Sequence, residues 1–131
     1  MKAKIFGIPN CGSVKKARVW LQENHISEEF HDYKKLGIDE QHVKQWCEEF
    51  GWEKVLNKKG TTWRNLDEGL KSQITNEEAA IKLMVENTSV IKRPVILTEK
   101  GNTIGFDEND YNNRLAQKSL NNVNSLFYKT D

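Results

Sequence analysis

Ile5-Phe6-Gly7-Ile8-Pro9-Asn10-Cys11-Gly12-Ser13-Val14-Lys15-Lys16-Ala17 is the stretch that decides the reading of this chain. An apolar run ends at a Pro-Asn turn, a cysteine stands in the turn, and an amphipathic stretch starts directly behind it. Residues 3–8 read as a buried strand. Residues 13–24 read as a helix with Ser13 at its N-cap, Val14, Ala17 and Leu21 along one face and Trp20 beside them. A thiol at such a junction faces backbone N–H groups that have no helical partner, and the positive end of the helix dipole. Both favour the thiolate, which is the nucleophilic form. Lys15, Lys16 and Arg18 add positive charge in the first turns, and Asn10 is suited to hydrogen-bond the turn and hold the cysteine loop. Cys11 is therefore the first candidate for chemistry.

Outward from this stretch, residues 28–33 fit a second strand. The spacing between the two strands leaves room for a helical crossover, so they should pair in parallel. Residues 38–87 read as helices. Asp39 caps a segment with Val43, Trp46, Cys47 and Phe50 on one face, and Gly51 ends it. Trp52 to Leu56 opens a short helix, Gly60-Thr61-Thr62 is a loop, and Trp63 starts a third helix. Thr75 and Glu78 have capping-box spacing for a helix to about Asn87, with Ala80, Leu83 and Met84 inward. Pro94 to Thr98 is a strand opened by proline. Glu99-Lys100-Gly101-Asn102 turns the chain, and Thr103 to Phe106 returns antiparallel. Asp107 caps a last helix to about Lys118. The order βαβ, helices, ββα predicts an α/β fold, a thioredoxin-like mixed sheet with an all-helical insertion. In that topology Pro94 is expected to be cis and to face the cysteine turn. The domain is read as residues 1–118 with the insert at about 38–87, and 119–131 as a C-terminal tail.

Composition narrows the classes. The net charge of +1 gives no basic field for nucleic acid or a membrane surface. Cys11 and Cys47 are too few for a disulfide scaffold, and no Cys/His spacing suits a metal, so no metal site is expected. Met1-Lys2-Ala3-Lys4 leads into a strand too short for a signal-peptide core or a membrane span, which reads as cytoplasmic. With no stripe for self-association the default is a monomer. Cys47 falls on the inner face of its helix and reads as core. His25, His31 and His42 read as structural, as do Trp20, Trp46 and Trp52, whereas Trp63 is placed to border a cleft.

Asn10-Cys11, Lys15-Lys16-Ala17-Arg18, His31-Asp32-Tyr33, Gly60-Thr61-Thr62-Trp63-Arg64, Ile91-Lys92-Arg93-Pro94 and Gly105-Phe106 occur in an order that resembles the arsenate reductase (ArsC) family. The resemblance covers roughly residues 2–118 and is nearest to the YffB-like branch of the Spx/ArsC-related proteins. It implies a redox-active or nucleophilic cysteine, which is Cys11. It also implies arginines around that cysteine, of which Arg93 matches one and Arg64 a second. Where a third would stand near the fourth strand, Gly105-Phe106-Asp107-Glu108 carries acid instead. Catalysis is assigned on this basis to Cys11, Arg93 and Arg64, and substrate binding to Asn10, Gly12, Lys15 and Pro94.

The expected activity is that of a thiol oxidoreductase with a single active cysteine. No cofactor is held permanently, and glutathione serves as co-substrate. The partner is glutathione or another small thiol or oxyanion, with a protein partner as a further option. Two rivals stand beside this reading. One is arsenate reduction by the same cysteine, weakened by the acidic stretch after the fourth strand. The other is a regulator resembling Spx, which contacts RNA polymerase. Cys11-Gly12-Ser13-Val14 lacks the Cys-x-x-Cys switch usual in those regulators.

Overall fold

A strand that alternates its side chains between two cores organises the molecule. In the computed structural model, which describes residues 1–116, β1 (Lys2–Gly7) sends Ala3 and Ile5 to one side of the sheet and Phe6 to the other. β1 pairs in parallel with β2 (Ser27–Asp32) and antiparallel with β3 (Val95–Thr98), which pairs antiparallel with β4 (Gly101–Ile104). The order is β2-β1-β3-β4, a mixed sheet with a crossover helix between its parallel strands. That helix, α1 (Gly12–Glu23), covers the Ile5 face together with α8 (Glu108–Arg114). Leu21, Ile96, Tyr111 and Leu115 are fully buried there, and each such side chain contributes about 1.5–3 kcal/mol of transfer free energy.

The opposite face is covered by the helical insertion. It follows α2 (Tyr33–Leu36) and comprises α3 (Glu40–Phe50), α4 (Trp52–Val55), α5 (Thr61–Arg64), α6 (Glu68–Ser72) and α7 (Glu77–Glu86), then a 3-10 turn at Thr88–Val90. Its core is continuous with Phe6, Tyr33 and Val95. Phe6 meets Trp46 edge-on at 5.0 Å between centroids, and His31 and His42 flank the same ring. His31 Nε2 lies 2.8 Å from the Gly37 carbonyl, so that nitrogen carries the hydrogen and donates it. His42 pairs with Asp39. Trp63 packs partly against the insert core, and the Lys58 ammonium lies 5.5 Å from the ring centres of both Trp63 and Trp52.

Several boundaries differ from the sequence reading. Cys11, not Ser13, is the N-cap of α1, and the helix starts at Gly12. Tyr33 belongs to α2 rather than to the second strand, because the Asp32 carboxylate accepts from the N–H groups of Lys34 and Lys35 and turns the chain. Asn76, not Thr75, caps α7, accepting from Ala79 N–H at 2.9 Å. Thr61 and Thr62 are helical, and α6 carries no apolar periodicity strong enough to announce it. The hairpin turn is Glu99-Lys100 alone: Gly101 and Asn102 already pair as the start of β4, which ends at Ile104 rather than Phe106. α8 ends at Arg114, short of Lys118. The tail at 119–131, and the domain end at 118, lie outside the described residues.

Candidate active site

All four strands deliver a segment to the same end of the sheet. β1 runs out into Pro9-Asn10-Cys11, β2 into Tyr33, β3 begins after Arg93-Pro94, and β4 runs out into Gly105. The Arg93-Pro94 peptide bond is cis, and the Pro94 carbonyl accepts from Gly105 N–H at 2.8 Å. Gly7 brings α1 down onto this end of the sheet. A Cβ there would stand 2.8 Å from Val14 Cγ2, so only glycine lets the first turn of the helix sit so low.

Cys11 is half-buried and in extended conformation, and its carbonyl accepts the first helical hydrogen bond from Lys15 N–H at 2.9 Å. Burial by itself would raise its pKa. The Val14 N–H, the Arg93 guanidinium as donor and as charge, and the Ser13 N–H outweigh burial and hold the thiol below its ordinary value. The sulfur makes no full capping hydrogen bond with α1, so these N–H groups act mainly through the field of a helix terminus.

Arg93 is the charge that faces this thiol. Its Nη1 donates to the Ser89 carbonyl at 3.3 Å, and its Nε is buried with no partner among the described residues. Burial opposes the guanidinium charge, but the Cys11 sulfur and the Tyr33 hydroxyl oxygen beside it outweigh burial, so Arg93 keeps its proton more firmly. The backbone that carries it is tied to the insert. Lys92 N–H donates to Val55 O and Asn57 N–H to Val90 O, each at 2.8 Å, around an isolated antiparallel bridge between Leu56 and Ile91.

Tyr33 is the residue the sequence analysis left unassigned. It is 1 % exposed, and its hydroxyl donates to the Ile91 carbonyl at 3.3 Å, two residues before Arg93. Burial pushes the phenol well above its usual range, against the pull of Arg93, so it stays protonated. The sequence signal for it was an aromatic residue at a strand end directly after a capping aspartate. Tyr33→Phe removes the hydroxyl oxygen that faces the Arg93 guanidinium and so loosens its placement beside Cys11. The pH profile of Cys11 alkylation should then move upward, with a stability loss of about 1 kcal/mol from the lost hydrogen bond. An unmoved profile would leave Tyr33 as packing alone.

The structure brings Cys11, Arg93 and Pro94 to this end of the sheet, and leaves the remaining candidates on the surface. Gly12 is exposed with nothing within 4 Å of a built Cβ. Asn10 is exposed, and its side chain makes no hydrogen bond among the described residues, so the turn is not held by it. Lys15 is exposed and opens onto a shallow groove of about 480 Å³ along α1, closed on its other side by Phe106. Arg18 does not add to the field at Cys11, because Glu28 holds it at 2.6 Å and Phe30 lies beneath it. Arg64 is exposed at the end of α5 and is not among the groups acting on the thiol. Cys47 is buried beside Trp46, and burial pushes its thiol up to about 11, with Glu77 and Glu48 adding to the shift. Among the described residues no cluster of His, Cys, Asp and Glu could hold a metal ion.

A family model described as the ArsC family matches residues 6–114. The chain belongs to the ArsC family. An uncharacterised protein of Haemophilus influenzae is 42% identical over 107 residues, covering 82% of this chain and 93% of that one. The global transcriptional regulator Spx of Staphylococcus haemolyticus is 30% identical over 118 residues, covering 87% of each chain. Among solved structures, the YffB protein is 45% identical with a TM-score of 0.82, covering 87% of this chain and 99% of that one. This ArsC-family chain thus has the thioredoxin-like mixed sheet expected of it. Among the described residues no helix is long and apolar enough to cross a membrane.

Proposed function

We propose that this ArsC-family chain is a thiol oxidoreductase that works through Cys11 alone, with glutathione as the external thiol. The observation that carries this reading is the Cys11 thiol at the cap of α1, held below its ordinary pKa by backbone N–H groups and Arg93. The thiolate attacks one sulfur of a disulfide. A bond forms between Cys11 Sγ and that sulfur as the old S–S bond breaks, and the departing thiolate takes a proton from solvent. A second external thiolate then attacks the mixed disulfide and releases Cys11. Cys47 does not resolve it, being buried in the insert core with a raised thiol pKa. Arg93 steadies the charge on sulfur in both steps. Such chemistry belongs in a reducing compartment, in keeping with the cytoplasm. A monomer carries every group it uses.

The test is incubation of the reduced protein with glutathione disulfide, followed by mass spectrometry of the intact chain. One glutathionyl group is expected, on Cys11, removed by added glutathione and absent in Cys11→Ser. No adduct at neutral pH would overturn the reading. Arsenate turnover without such an adduct would move the assignment to the rival carried by the same arginine. Capture of RNA polymerase by a chain inert toward both would favour a regulator like its Spx relatives.

A further inference from the structure

Gly105 is buried at the end of β4 with φ +76, a conformation L side chains rarely adopt. A Cβ built on it would lie 2.8 Å from Lys92 Cε, 3.8 Å from Cδ and 3.7 Å from Nζ. The lysine stem therefore lies flat against the glycine. Both ends of this residue are placed. Its backbone N–H is fixed to Val55 O, and the glycine under its stem is hydrogen-bonded to Pro94 O. Its ammonium has no ion pair and no hydrogen bond among the described residues, although the next residue in the chain, Arg93, is engaged by Ser89. The lysine stem is held at a fixed place against Gly105, and its ammonium is left open to an anion from outside.

The distances suggest which anion. β4 is two strands away from β1, so Gly105 stands roughly 10 Å across the sheet end from the line of β1, the strand that leads into the Cys11 turn. An extended peptide advances about 3.3–3.6 Å per residue, so that gap is close to the length of a tripeptide. We propose that Lys92 is a specificity residue that binds a carboxylate of an extended peptidyl thiol whose sulfur is engaged by Cys11. Arg93 then serves the sulfur and Lys92 the carboxylate, neighbours in sequence serving two ends of one substrate. Gly105 is required because any side chain there would displace the lysine. This inference rests on the thiol-oxidoreductase reading above.

The experiment compares two disulfides reacting with Cys11 in the full chain: glutathione disulfide, which carries carboxylates, and bis(2-hydroxyethyl) disulfide, which carries none. For Lys92→Gln the ratio of the two second-order rate constants should fall roughly five-fold relative to wild type, the size expected of a partly exposed ion pair. Lys92→Arg should restore most of it, and the wild-type ratio should shrink with added salt. An unchanged ratio in Lys92→Gln would overturn the proposal. So would an equal fall with both disulfides, since the lysine would then act on Cys11 rather than on substrate. Wild-type protein inert toward both disulfides would instead sink the oxidoreductase reading, and this proposal with it.

Discussion

Arg93→Gln should slow alkylation of Cys11 at pH 7 by roughly three- to ten-fold. Burial of this thiol favours the neutral form, and the groups that outweigh burial are few: the Val14 and Ser13 N–H groups and the guanidinium, which acts both as donor and as charge. Glutamine removes the charge and the forked donors together, so the thiolate fraction falls. Part of the loss is recovered because a thiolate of higher pKa is intrinsically more nucleophilic. Arg93→Lys should fall between the two, keeping the charge without the planar fork. The same residue should leave a mark on stability. The native thiol ionises at lower pH than an unfolded one, whose value is about 8.5. Between those two values the unfolded chain binds the extra proton. Stability therefore rises with pH through that window, and the gain is absent below the native value. In Arg93→Gln the window should narrow. Equal alkylation rates for wild type and Arg93→Gln across pH 6 to 9, a range chosen to bracket the ordinary thiol value, would remove Arg93 from the activation of the thiol.

Gly7→Ala should destabilise the fold by about 2 kcal/mol, a large effect for one methyl group. The added Cβ meets Val14 Cγ2 at 2.8 Å, and Val14 is fully buried beneath the first turn of α1. Either the valine leaves its rotamer or the helix lifts, and a lifted helix carries Cys11 away from Arg93. Val14→Ala should cost a similar amount by opening a cavity. Together the two changes should cost about 1 kcal/mol less than their sum, because each removes the other's difficulty. Urea unfolding checks this through the midpoint at constant slope. Strict additivity would mean that the clash is relieved somewhere other than at Val14.

Much of this site could be read from the chain because its parts are local. A strand, a Pro-Asn turn, Cys11 and a helix follow one another without interruption, and Pro94 opens its strand in the same way. The errors arose where short side chains compete. Ser13, Thr75 and Asn76 are all competent caps, and the choice among them depends on where the preceding backbone bends. Tyr33 escaped notice because its role depends on Ile91, fifty-eight residues on in the sequence, and on an insert whose packing no periodicity describes. Arg18 misled for the opposite reason. Its charge is visible in sequence, but the carboxylate that neutralises it comes from the neighbouring strand. Arg64 was placed by resemblance, and the fold leaves it exposed at the end of a four-residue helix.

The bridge between Leu56 and Ile91 bears on whether the insert can be treated as a module. A shortened chain that joined α2 directly to the segment before β3 would keep every strand, the cysteine turn and both helices on the far face. It would lose the mooring of residues 90–92, and the arginine that follows them would swing on an untethered loop. The all-helical segment is therefore not cargo that the domain has acquired. It anchors the backbone that presents Arg93 to Cys11, and grafting this site onto another scaffold would require carrying that anchor along.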